Sequence, residues 1–85
     1  MQLEERIMRL IAVGASVSAN CQSCLQGNID KARENGCDET EIAEAIWVGK
    51  MVRRGAASKM DTFAANLSQA NPAGAVQSES GCECK

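Results

Sequence analysis

Residues 10–36 read LIAVGASVSANCQSCLQGNIDKARENG. Two helices and the break between them are visible in this stretch. Upstream, Leu3, Ile7, Leu10, Gly14 and Val17 recur at helical spacing and define one apolar face, with Glu4, Glu5 and Arg9 off the stripe. The first helix is expected to end near Ser18 or Ala19. Asn20 suits the N-cap of a second helix running from about Cys21 to Asn35. Gly36 then stops that helix, because glycine readily takes the left-handed conformation that closes a helix end. Cys21, Cys24, Leu25, Asn28 and Ala32 fall on one inward face, while Ser23 points away.

Downstream, Asp38 and Glu41 form a capping-box pair that opens a third helix. From Ile42 to Val52 this helix is apolar nearly all round, with Trp47 at its centre. A helix of that kind is buried on more than one side, which favours a subunit interface. Trp47 reads as a core or interface anchor. Arg53-Arg54-Gly55 reads as a break before a fourth helix, whose inner face carries Ala56, Met60, Phe63, Ala64 and Leu67. After Asn71-Pro72 the only sizeable apolar side chain is Val76. Residues 73–85 cannot bury enough surface to order themselves. The expected organisation is one helical domain over residues 1–70 and a flexible tail over 71–85, ending in Cys82-Glu83-Cys84. The fold class is all-α, with four helices.

Composition narrows the chemistry. The 85 residues include five Cys, no His, one Trp and one Phe, with a net charge of −2. Without His there is no His general base, no His metal ligand and no Ser-His-Asp triad. A mildly acidic chain does not offer a nucleic-acid surface. A domain of this size buries only about 60% of its unfolded surface, so a staple or a partner subunit is expected. The small side chains favour close helix packing and a core shared within a homo-oligomer. MQLEERIMRL lacks a signal-peptide apolar core, and no run approaches a membrane span. A cytoplasmic location follows as an expectation. In a reducing compartment, five cysteines point to redox or metal chemistry rather than a structural disulfide framework.

The strongest constellation is Cys21-Gln22-Ser23-Cys24. Two thiols three residues apart at a helix start can close a disulfide across one turn. The helix N-terminus stabilises the thiolate, the form that attacks disulfides and peroxides. Arg6 and Arg9 could add positive charge if the first helix packs alongside, and Asn28 is a polar neighbour. Packing of two buried thiols is the bland alternative. A metal site would need Cys21, Cys24, Cys82 and Cys84 together, joining a helical pair to a tail pair. Neither a metal nor a cofactor is assigned. Cys82 and Cys84 are also a candidate shuttle pair, on an arm able to span up to about 35–40 Å. The alternative for them is an incidental tail. Cys37, just after Gly36, reads as a small packing residue.

The order of these pieces, together with DETEIAEAIWVGKMVRRGAA at 38–57, resembles the alkylhydroperoxidase D / carboxymuconolactone decarboxylase family. The resemblance covers residues 3 to about 67. It implies an alkylhydroperoxidase D-like all-α subunit, assembled into trimers or hexamers. It also implies thiol–disulfide exchange or peroxide reduction at the CxxC. In that reading Cys24 attacks, Cys21 resolves, and a thioredoxin or lipoyl-type adaptor restores the thiols. The family's peroxidase branch has a His before the second Cys, another His four residues after it, and a Glu in the preceding helix. Here those places hold Ser23, Asn28 and Arg9. The resemblance therefore carries the disulfide chemistry without the usual proton relay. The alternative is a metal-binding or non-catalytic oligomeric protein that has lost that relay. The decarboxylase branch wants positioned acid–base groups that the sequence does not supply.

Overall fold

A computed structural model of the chain describes residues 2–68. Among them the fold is all-α, with α1 at Glu5–Ser18, α2 at Gln22–Glu34 and α3 at Glu39–Leu67. The expected tail, including Cys82 and Cys84, lies outside the described residues. α1 packs against both other helices, while α2 and α3 scarcely touch each other. α2 returns antiparallel to α1, and α3 runs parallel to α1. The paired contacts show this: Arg6 meets Glu41, Gly14 meets Gly49, and Val17 meets Arg53.

Both turns are built the same way. Asn20 has a φ of 58°, its N–H reaches the Val17 carbonyl, and the Cys21 N–H reaches the Ser16 carbonyl. Gly36 has a φ of 88°, with the N–H groups of Gly36 and Cys37 on the carbonyls of Arg33 and Ala32. These are Schellman closures, in which one left-handed residue lets the chain satisfy its last carbonyls. Asn20 therefore closes α1 and does not cap α2. Asparagine tolerates the left-handed region better than most residues. α3 opens with the expected capping box between Asp38 and Glu41. Arg6 donates to Glu41 at 2.6 Å. That bond, then the Asp38 N–H, holds the Glu41 carboxyl below its ordinary value. Such a group favours the folded chain at neutral pH, and the contribution is lost as pH falls through the lowered value.

The core is small. Val13, Ala32, Cys37 and Ile42 are buried, with Leu10, Leu25, Ile29, Ala45 and Ile46 packed against them. Cys37 takes the packing role expected of it, and its Sγ faces the Arg6 carbonyl oxygen at 3.5 Å. Glycines set the α1–α3 crossing. A Cβ on Gly49 would strike the Gly14 carbonyl oxygen and lie 2.9 Å from Val17 Cβ, and one on Gly14 would lie 3.0 Å from the Ala45 carbonyl oxygen. Ser18 Oγ donates to the Gly49 carbonyl at 2.9 Å across this crossing.

Two expectations are corrected. There is no break at Arg53-Arg54-Gly55, so the third and fourth helices are one helix of 29 residues. A lone mid-helix glycine costs only about 1 kcal/mol relative to alanine, too little to stop a helix with no proline in it. The supposed inner face of its second half also has nothing to face among the described residues. Met60, Phe63 and Leu67 are exposed. Trp47 is not a core anchor of the single chain either, being 62% exposed, with Val48, Met51 and Val52 exposed around it.

The glycines yield a paired prediction. Gly49→Ala should destabilise the chain by at least about 1–3 kcal/mol, because its methyl group meets backbone that cannot swing aside. Gly55→Ala should stabilise by about 0.5–1 kcal/mol, since nothing lies within 4 Å of the added methyl. Urea unfolding midpoints measure both.

A candidate redox site at the start of α2

The site begins with the left-handed Asn20. Its turn delivers Cys21 in extended conformation, φ −103° and ψ 100°, as the true N-cap of α2. The Cys21 carbonyl accepts the first helical bond from the Leu25 N–H at 3.0 Å. Its Sγ accepts from the Cys24 N–H at 3.3 Å. The sulfur thus does what a Ser or Asp oxygen does at most helix starts, satisfying one free N–H. No acidic residue stands in the first turn of α2 to oppose negative charge there.

Cys21 and Cys24 are joined as a disulfide, with a Cα–Cα separation of 5.3 Å. Cys21 is half-buried and Cys24 exposed. Ser23 is exposed as expected, with its Oγ 3.9 Å from Cys21 Sγ. Asn28, one turn beyond Cys24, is half-buried, and its Nδ2 donates to Ser16 Oγ at 3.0 Å. Ser16 is itself buried, and its hydroxyl donates a hydrogen bond to the Ala12 carbonyl at 2.7 Å. Asn28 is therefore tied to α1 through a neutral hydrogen-bond chain.

The arginines fall elsewhere than expected. Arg9 pairs with Glu5 one turn back, at 2.7 Å. Arg6 pairs with Glu41 and flanks Cys37, at the end of α1 remote from Cys21. Twelve helical residues separate Arg6 from Ser18, about 18 Å along the axis. The cation at the cysteine end is Arg53, which the sequence reading took for part of a break. Its Nη1 donates to the Asn20 Oδ1 at 2.9 Å and to the Val17 carbonyl at 3.2 Å. Ser16 was also passed over, although its place between Val13 and Val17 puts it on the buried face. No pattern in the sequence marks Arg53, because its partners lie more than 30 residues away. Among the described residues no group of three metal-ligating side chains gathers.

The profile of the carboxymuconolactone decarboxylase family matches residues 2–66. The chain belongs to that family. A relative from Paracoccus denitrificans, named "Uncharacterized protein 4 in cox locus", is 40% identical over 55 residues. Those residues are 65% of this chain and 50% of the relative, so the chain spans about half of that protein's length. No solved structure matches the chain. The resemblance set out above places Ser23, Asn28 and Arg9 where the peroxidase branch has its relay. Two of those side chains are bonded to other groups, Asn28 to Ser16 and Arg9 to Glu5. No helix of the described residues is long and apolar enough to cross a membrane.

Asn20 carries a local prediction. Asn20→Val should cost about 1–2 kcal/mol more than Asn20→Gly, because a β-branched residue resists the left-handed region that glycine enters freely. Unfolding of the two variants under the same denaturant makes the comparison.

Proposed function

We propose that this chain is a thiol–disulfide oxidoreductase of the carboxymuconolactone decarboxylase family, cycling Cys21 and Cys24 between dithiol and disulfide. The observation that carries the reading is the Cys21–Cys24 bond at an accessible helix start, with the Cys21 sulfur on the Cys24 N–H. The roles follow from exposure. In the reductive direction an incoming thiolate attacks the exposed Cys24 sulfur. The S–S bond breaks and Cys21 leaves as a thiolate, steadied by that N–H and the helix end. A second thiol of the donor then resolves the mixed disulfide. The donor is oxidised by two electrons and the chain takes up two protons in becoming a dithiol. In the oxidative direction Cys24 attacks a disulfide, and Cys21 resolves it and releases two thiols.

This chemistry suits a dithiol partner of the thioredoxin or lipoyl type. Peroxide reduction asks more, because the attacking thiol must lose its proton in a chain with no His and at a site with no carboxylate placed among the described residues. Disulfide exchange is therefore the principal activity and peroxide reduction a slow one. The exposed Trp47, Val48, Met51 and Val52, continued by Met60, Phe63 and Leu67, support a homo-oligomer, a trimer or hexamer, that covers them. An apolar surface of this extent is what association sites look like.

Fully reduced protein should form the Cys21–Cys24 disulfide readily with oxidised glutathione, as read by peptide mass mapping. With hydroperoxide its thiols should be lost at close to the rate of free cysteine. Cys21→Ser should leave a mixed disulfide on Cys24. Mapping that finds only Cys82 and Cys84 oxidised would refute the proposal.

Association has its own readout in the one tryptophan. Trp47 emission should be blue-shifted at high protein concentration and move to the red on dilution, alongside a fall in mass by light scattering. Red emission at every concentration, with a monomer mass, rules out the oligomer.

A further inference from the structure

We propose that Arg53 is a positioning residue for the redox pair, holding the left-handed turn from which Cys21 opens α2. The inference rests on the reading of Cys21 and Cys24 as a redox couple. One guanidinium nitrogen, Nη1, serves two acceptors: the Asn20 Oδ1 at 2.9 Å and the Val17 carbonyl at 3.2 Å. That carbonyl also accepts the Asn20 N–H at 3.0 Å. Arg53 thus closes a three-group cluster around the turn. Arg53 is half-buried, although its helix neighbours Val52 and Arg54 are exposed, so the side chain lies along α1. The residue after Asn20 is Cys21. The placement of α3 is therefore transmitted to the sulfur through one peptide unit.

The consequence for the couple is entropic. Closing the disulfide requires both thiols at bonding distance. A dithiol already held in that geometry loses little freedom when the bond forms, whereas a frayed first turn loses more. Arg53 restrains the dithiol form and thereby favours the disulfide.

The test equilibrates the full chain with mixtures of reduced and oxidised glutathione and quantifies the Cys21–Cys24 disulfide by mass. In this reaction dithiol plus oxidised glutathione gives disulfide plus two reduced glutathione. The net strength of one or two hydrogen bonds corresponds to an equilibrium constant lowered about two- to tenfold in Arg53→Ala. Arg53→Lys, which keeps a charged donor, recovers a substantial part of the loss. Arg54→Ala, on the exposed side of α3, leaves the constant unchanged. Asn20→Gly keeps the left-handed turn, removes the side-chain acceptor, and shifts the constant the same way. It carries the test if Arg53→Ala fails to fold. An unchanged constant in both Arg53→Ala and Asn20→Gly, beside a lowered unfolding midpoint, makes Arg53 a structural tie only and overturns the proposal. A wild-type chain that never forms the Cys21–Cys24 bond in any glutathione mixture overturns the redox reading itself, and this inference with it.

Discussion

The approach of α1 to α3 at Gly14 and Gly49 governs the rest of the molecule. Only backbone fits there, so the helices come close enough for Ser18 to reach the Gly49 carbonyl. One turn further along α3, the same proximity lets Arg53 reach Val17 and Asn20. At the other end it brings Arg6 to Glu41. The helix pair is thus clamped by polar contacts at both ends and by glycine contact between them. A small core of Val13, Ala32, Cys37 and Ile42 suffices for α2 because α2 leans mainly on α1. The cysteine pair sits just beyond the Arg53 end of this clamp.

Much of this was legible in the sequence, for physical reasons that can be named. The all-α class, the end of α1 near Ser18, the Gly36 stop and the Asp38–Glu41 box all come from local rules, as do Leu25, Asn28 and Ala32 of the expected inward set; Cys24, placed in the same set, is exposed instead, because it stands in the first turn of α2. Each such feature is decided within four residues. Most of what stayed hidden was decided at longer range, Asn20 being a local ambiguity instead. Asn20 can cap a following helix or close a preceding one, and the choice depends on Cys21 Sγ taking the Cys24 N–H. Arg53-Arg54-Gly55 resembles a stop when read locally. It proves helical because one glycine with no proline beside it is too weak to stop a helix. Arg6 and Arg9 stand near the cysteines in the chain, yet each is drawn to a carboxylate elsewhere. The apolar face of α3 was recognised, but it has no partner among the described residues.

The proposed chemistry sits within the geometry of a family. The chain belongs to the carboxymuconolactone decarboxylase family, and its α2 opens on the Cys21–Cys24 pair. In the proposed reading the residues around that pair suit sulfur exchange better than peroxide reduction. Asn28 and Ser16 form a neutral hydrogen-bonded pair that steadies α2 against α1 and holds no transferable charge. The sulfur of Cys21 is stabilised by backbone and by the helix end, neither of which requires an ionisable partner. A site so arranged favours reactions in which a good leaving thiolate matters more than proton abstraction.

The two cysteines that follow the left-handed residues have opposite fates. Cys21 opens a helix at the surface, whereas Cys37 is sealed among Ala32, Val13 and Ile42 with its sulfur on the Arg6 carbonyl. Reagents in solution reach Cys37 only when α1 lifts from the turn after α2. Labelling at position 37 therefore acts as a clock for opening of the chain. Its rate, followed by mass, reports how often the helices part, independently of the oxidation state of the pair at the other end.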